Sequence, residues 1–162
     1  MSHRSVVCDY EKCIGCGLCE LVCSAEKERV FNPSLSRIHV VNIRSAHAFE
    51  NMSLTCRLCE VPSCVASCPR KALRANERTG TISVNDSKCD GCSWCFNACD
   101  FGAILFHPAR RTVRICDLCD GDAKCVKFCP TRALQLITPN QVSTKMRKRA
   151  VEKRRMSLLS RV

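Results

Sequence analysis

Sixteen of the seventeen cysteines in this 162-residue chain fall into four groups of four. Cys13, Cys16, Cys19 and Cys23 form the first group, and Cys89, Cys92, Cys95 and Cys99 the third; both follow the spacing C-x2-C-x2-C-x3-C. Cys56, Cys59, Cys64 and Cys68 form the second, and Cys116, Cys119, Cys125 and Cys129 the fourth. These two have a longer gap between the second and third cysteine and run into Pro69 and Pro130. Three cysteines at short gaps on a tight loop can wrap three irons of a cubane, while the fourth, one helical turn on, points toward a different cluster. Gly15, Gly17 and Gly91 sit between these positions, where a loop bending around inorganic sulfide needs left-handed backbone or a close approach. Four such groups predict four [4Fe–4S] clusters. Zinc sites use separated ligand pairs instead, a pattern the first and third groups do not follow.

Composition points the same way. The chain has only eight aromatic residues, six Phe, one Trp and one Tyr. So few bulky side chains make a poor core, and inorganic clusters are expected to fill the interior instead. No run of 18 apolar residues is present, which argues against a transmembrane helix and membrane insertion. The N-terminal stretch meets charges and cysteines before any secretory h-region can form, so a cytoplasmic location is expected. In a reducing compartment a dense and odd-numbered cysteine set favours metal over disulfides.

The formal net charge of +11 is unevenly placed. Residues 145–162 hold eight basic side chains and one acid, Glu152, whereas residues 1–144 hold 18 basic and 14 acidic ones. Thiolate-bound clusters would add about two to three negative charges each, so Arg57, Lys88, Arg114, Lys124 and Lys127 are expected to offset them.

The elements that must position these loops are short. Groups one and three share one spacing and groups two and four another, so residues 5–75 and 80–137 read as a duplicated unit within a four-cluster domain spanning 1–138. Strands are expected at 5–7 and 81–84 before groups one and three, and at 103–106 and 134–137 after groups three and four. Residues 71–73, 102–104 and 132–134 end short helices and lead into strands. An insertion, 24–55, contains an alternating stretch from Ser36 to Arg44 that suggests a strand pair. The fold class is α+β: ferredoxin-like dicluster modules with short strands and helices, plus a long C-terminal helix. That helix, 139–162, is capped by Thr138, Pro139 and Gln141 and would reach about 35 Å, a basic strap for docking on a partner subunit.

The four-group arrangement resembles the polyferredoxin-type electron-transfer subunits of bacterial and archaeal oxidoreductases. The wording at residues 10–16, 31–38 and 116–119, and Cys129-Pro-Thr-Arg-Ala-Leu, is most similar to the small iron–sulfur subunits of tungsten-containing aldehyde oxidoreductases. The resemblance implies that Cys13, Cys16 and Cys19 take Cys129 as fourth ligand, and that Cys116, Cys119 and Cys125 take Cys23. It likewise implies that Cys56, Cys59 and Cys64 are completed by Cys99, and Cys89, Cys92 and Cys95 by Cys68. All sixteen cysteines are present, so four cubanes are implied. Ser24 and Asp100 depart from the proline that usually follows the fourth cysteine.

The resemblance also implies a non-catalytic relay working with a catalytic subunit that holds a tungsten or molybdenum cofactor, converting aldehyde to carboxylic acid. A flavin-type or other redox subunit, or further copies of this chain joined through the C-terminal helix, would complete the assembly. A formate dehydrogenase, hydrogenase or carbon monoxide dehydrogenase partner, or a free soluble ferredoxin, are the alternatives. A nucleic-acid-binding sensor is disfavoured, since sensing does not need four clusters. No P-loop, dinucleotide fingerprint or catalytic triad is present. Cys8 reads as a small buried hydrophobe. His3, His39, His47 and His107 have no ligand spacing, and Trp94 is expected to shield the third group from water.

Overall fold

The computed structural model describes residues 4–44, 49–138, 140–144, 147–148 and 150–151. Eight strands pair as four two-stranded antiparallel ladders: β1 (Ser5–Cys8) with β8 (Leu134–Ile137), β2 (Ile38–Arg44) with β3 (Phe49–Thr55), β4 (Leu73–Ala75) with β5 (Ile82–Val84), and β6 (Leu105–Phe106) with β7 (Val113–Arg114). Four helices are interspersed: α1 (Leu18–Glu28), α2 (Ser63–Ala66), α3 (Trp94–Asn97) and α4 (Lys124–Lys127). Each begins next to a cysteine of its group. The β7 strand, two residues long, carried no periodic signal of its own.

Space groups the chain differently from sequence. The β1 strand lies against β8, from Ser5↔Ile137 to Cys8↔Leu134, and α1 packs on α4. The first cysteine group therefore meets the fourth. Inside that wrapping, β4 pairs with β5 and α2 packs on α3, so the second group meets the third. The arrangement is nested.

Matching positions of the groups share backbone geometry. Gly15 and Gly91 both have φ of 71°, and Gly17 has 70° where Ser93 has 71°. Leu58 and Leu118 have φ of 52° and 61°, and Lys71 and Arg132, each three residues past the last cysteine, have 49° and 53°. Left-handed backbone at residues with a Cβ costs about 1–2 kcal/mol each, so surrounding contacts must hold these loops.

The α1 helix is longer than the other three and continues past Ser24, although the lack of proline is not sufficient, since Asp100 follows Cys99 and α3 still ends at Asn97. In groups two and four, proline directly follows the last cysteine, and proline cannot continue a helix. Ser24 lets the helix run four residues further. Its side chain is fully buried; Oγ donates to the Leu21 carbonyl at 3.0 Å and accepts the Asn32 amide at 3.1 Å.

The insertion forms the expected strand pair, with β2 and β3 in register from Ile38↔Thr55 to Arg44↔Phe49. Its inward face is unusual. Asn51, Ser53 and Thr55 alternate along β3 and are all buried, while Met52 and Leu54 between them are less so. After β8, the Thr138 amide donates to Gln141 Oε1 at 2.8 Å and the Val142 amide to the Thr138 carbonyl at 3.0 Å, the capping box read from the sequence. Residues 140–144, 147–148 and 150–151 are helical; the reach of that helix to Val162 lies outside the described residues.

Candidate metal centres

Three cavities each bring four cysteines together. Cys13, Cys16 and Cys19 line one with Cys129. Cys116, Cys119 and Cys125 line the second with Cys23. Cys89, Cys92 and Cys95 line the third with Cys68. In each case three thiols come from one loop and the fourth from another group. The remaining cysteines also gather: Cys59 and Cys99 both act electrostatically on Cys64, and Cys59 and Cys64 on Cys56. Among the described residues no three His, Cys, Asp or Glu side chains close on a single-ion site. The thiols face cavities instead, as a polynuclear cluster requires.

The thiols resist ionisation. Burial pushes Cys56 up to about 12 and Cys19 and Cys95 up to about 11, and raises Cys125 further. A thiolate in such surroundings needs a compensating cation, which iron supplies. Backbone amides are already aimed at sulfur: the Arg37 amide donates to Cys23 Sγ and the Ala72 amide to Cys68 Sγ, both at 3.3 Å. Cys129 shows the opposite balance. Burial raises it, yet the amides of Leu134, Ala133 and Thr131, with the Thr131 hydroxyl, bring it below the ordinary thiol value. Donor set, cavities and amides fit iron–sulfur clusters.

Neighbouring quartets adjoin one another. Cys64 acts on Cys95, Cys116 on Cys56, and Cys19 on Cys125, so each of these pairs bridges two neighbouring quartets. The order runs from the quartet with Cys68, through that with Cys99 and that with Cys23, to that with Cys129. Cys16, Cys59 and Cys92, the second cysteine of groups one to three, are the exposed ones.

Charge compensation differs from the sequence expectation. Lys27 and Arg37 line the cavity with Cys23, held there by Asp117 at 2.7 and 2.8 Å. Asp117 also accepts the Cys119 amide at 3.1 Å; burial raises its pKa, but Lys27, that amide and Arg37 outweigh it and keep it below the usual carboxylate range. Lys124 and Lys127 instead pair with Asp122, Arg57 lies over the Phe101 ring, and Lys88 is exposed. Neither Lys27 nor Arg37 has a sequence signal, because each is brought in from α1 or the loop after it. Arg114 is buried and donates through Nη2 to the carbonyls of Ser34 and Phe106 at 2.7 and 2.6 Å, joining the outer and inner parts.

Trp94 does not shield its group. It is 64% exposed, because Cys95 takes the inward position of α3 and the residue before it is turned about 100° away. Cys8 is half-buried beside Cys13 and Ser53, with burial raising its pKa. His39 Nδ1 lies 2.9 Å from Glu20 Oε1, and His107 accepts the amides of Ala109 and Arg110 through Nδ1 at 3.1 Å; neither joins a quartet. His3 and His47 lie outside the described residues.

A 4Fe-4S dicluster domain model matches residues 48–138, and a 4Fe-4S binding domain model matches residues 9–25. The polyferredoxin-like subunit of an aliphatic sulfonate oxidoreductase from Pyrococcus furiosus is 39% identical over 80% of this chain and 75% of its own length. The electron transport protein HydN of Escherichia coli is 33% identical over 97% of this chain and 98% of its own. The beta subunit of an NADH-dependent phenylglyoxylate dehydrogenase from Aromatoleum evansii is 35% identical over 85% of this chain, which spans 31% of that relative.

Proposed function

Because the chain belongs to the 4Fe-4S dicluster ferredoxin family of electron-transfer subunits, we propose that it relays electrons through four [4Fe–4S] clusters between a catalytic oxidoreductase partner and a second subunit or acceptor. The observation that carries this reading is the gathering of the cysteines into four quartets, each drawing its fourth member from another group. Cys13, Cys16, Cys19 and Cys129 hold one cluster; Cys116, Cys119, Cys125 and Cys23 the next; Cys56, Cys59, Cys64 and Cys99 the third; Cys89, Cys92, Cys95 and Cys68 the last. Bound clusters supply one-electron redox chemistry, which lets a two-electron catalytic site exchange electrons singly.

The protein residues supply everything around that chemistry. Backbone amides of Arg37 and Ala72 donate to ligand sulfurs, and Lys27 and Arg37 offset negative charge at the quartet containing Cys23. Such hydrogen bonds and charges are the protein's levers on potential. The relatives are named as an electron-transport protein or as subunits of larger oxidoreductases. We assign the catalytic work to a partner, a tungsten or molybdenum enzyme oxidising aldehydes, with the basic segment 139–162 docking on it. The described residues contain no helix long and apolar enough to cross a membrane.

Anaerobic copurification tests the proposal. The native complex should contain a catalytic subunit with tungsten or molybdenum, and the chain itself about sixteen irons and sixteen acid-labile sulfides. Cys129→Ser and Cys68→Ser should each remove about four irons, from two different quartets. A colourless or zinc-loaded chain overturns the cluster reading. A monomer of 18.1 kDa in native extract overturns the fixed-partner reading.

A further inference from the structure

The β3 strand inverts the usual rule for a half-buried strand. Its inward positions Asn51, Ser53 and Thr55 are all at 8% exposure or less, and Met52 and Leu54 between them face the other way. A strand that covered hydrocarbon would be patterned in reverse. This one covers cysteine loops. Asn51 lies against Gly15, in the loop between Cys13 and Cys16. Ser53 lines the cavity of Cys13, Cys16, Cys19 and Cys129, with Oγ 3.8 Å from Cys19 Sγ and 4.0 Å from Cys13 Sγ.

That placement has a chemical consequence, which rests on the ligand assignment above. A thiol and a hydroxyl can each donate to the other, but an iron-bound thiolate has no proton to give. Once Cys13 and Cys19 are ligands, the Ser53 O–H is therefore the donor and sulfur the acceptor. A hydrogen bond to an anionic sulfur favours the more negative, reduced cluster and raises its potential. Thr55, two residues further along the same strand, gives the quartet with Cys23 a hydroxyl contact of its own, at Cys116. Ser93, which lines the cavity with Cys68, instead donates its hydroxyl to the Gly91 carbonyl.

We propose that the Ser53 hydroxyl, carried in by the β2–β3 hairpin, is a positioning group that raises the potential of the cluster held by Cys13, Cys16, Cys19 and Cys129. The hairpin is thereby a tuning insertion. Ser53, which also lies beside the Cys8 thiol, acts on the cluster through the two thiolates.

The test uses the full-length holoprotein, with iron and sulfide counted before every titration. Ser53→Ala should shift one of four reductive transitions to more negative potential, leave the other three in place and keep the iron content of the parent. Ser53→Thr should restore that transition. The parent should also show an exchangeable-proton coupling to that cluster in pulsed electron–nuclear spectroscopy, absent in Ser53→Ala. Four unmoved transitions in Ser53→Ala overturn the inference while leaving the ligand assignment intact. Loss of about four irons in both variants overturns it differently, by making Ser53 a packing residue. A parent without four clusters would instead remove the assignment itself.

Discussion

Lys27 on α1 and Asp117 beside Cys116 meet at 2.7 Å although 90 positions separate them in the chain. Arg37 reaches the same carboxylate oxygen at 2.8 Å, and its backbone amide donates to Cys23 Sγ. One carboxylate thus ties the first cysteine group to the fourth. Asp117→Asn should cost about 1–3 kcal/mol, because two partly buried cations lose their partner. Reversible denaturant unfolding of the holoprotein checks this. Iron should be released first from the quartet containing Cys23, which site-resolved electron paramagnetic resonance will follow.

The loop glycines differ in what they tolerate. A Cβ at Gly15 would lie 2.6 Å from Asn51 Oδ1, on backbone with φ of 71°. Gly15→Ala should therefore push the hairpin off the first loop, cost about 1–3 kcal/mol and lower occupancy of the Cys129 quartet. Gly102→Ala meets no neighbour within 4 Å and should cost only the backbone strain, about 1 kcal/mol. In the opposite direction, Ser93→Gly relieves left-handed strain and should stabilise by about 0.5–1 kcal/mol. Thermal unfolding under anaerobic conditions ranks the three.

Ser24→Pro restores the proline found after the last cysteine in groups two and four. It should nevertheless harm this chain, by about 3 kcal/mol or more, because α1 continues past that position and the buried Ser24 hydroxyl bridges Leu21 and Asn32. Far-ultraviolet circular dichroism should show less helix. A variant with unchanged helicity would contradict the part assigned to Ser24.

Cys8 stands beside Cys13 without belonging to a quartet. Cys8→Ala should keep the full iron and sulfide content, whereas Cys13→Ser should lose about four irons. Removing iron altogether with a chelator should unfold the chain, since many of its buried apolar positions are the cysteines themselves. Circular dichroism before and after chelation reads this directly.

The cysteine groups, their loops and most of the strands were legible because thiol spacing and short alternating runs are local signals. So was the capping box at Thr138 and Gln141. The nested packing was not readable from spacing. Which group meets which depends on β1 pairing with β8 across almost the whole chain, and only the family resemblance anticipated it. Lys27, Arg37 and Ser53 were equally silent in sequence, since each acts on a thiol that the fold, not the chain, brings near. Trp94 misled for a related reason: a residue between two buried cysteines need not be buried when it sits on a helix.

The pairing of Ser5–Cys8 with Leu134–Ile137 has a consequence for biosynthesis. The inner cysteine groups lie between residues 56 and 99, so their quartets can form while the ribosome is still making the rest. The outer quartets must wait for Cys116 to Cys129, leaving Cys13 to Cys23 unmetallated and open to oxidation meanwhile. If each quartet binds the cluster proposed for it, maturation runs from the inside out, and oxygen stress during translation should damage the outer pair of clusters first.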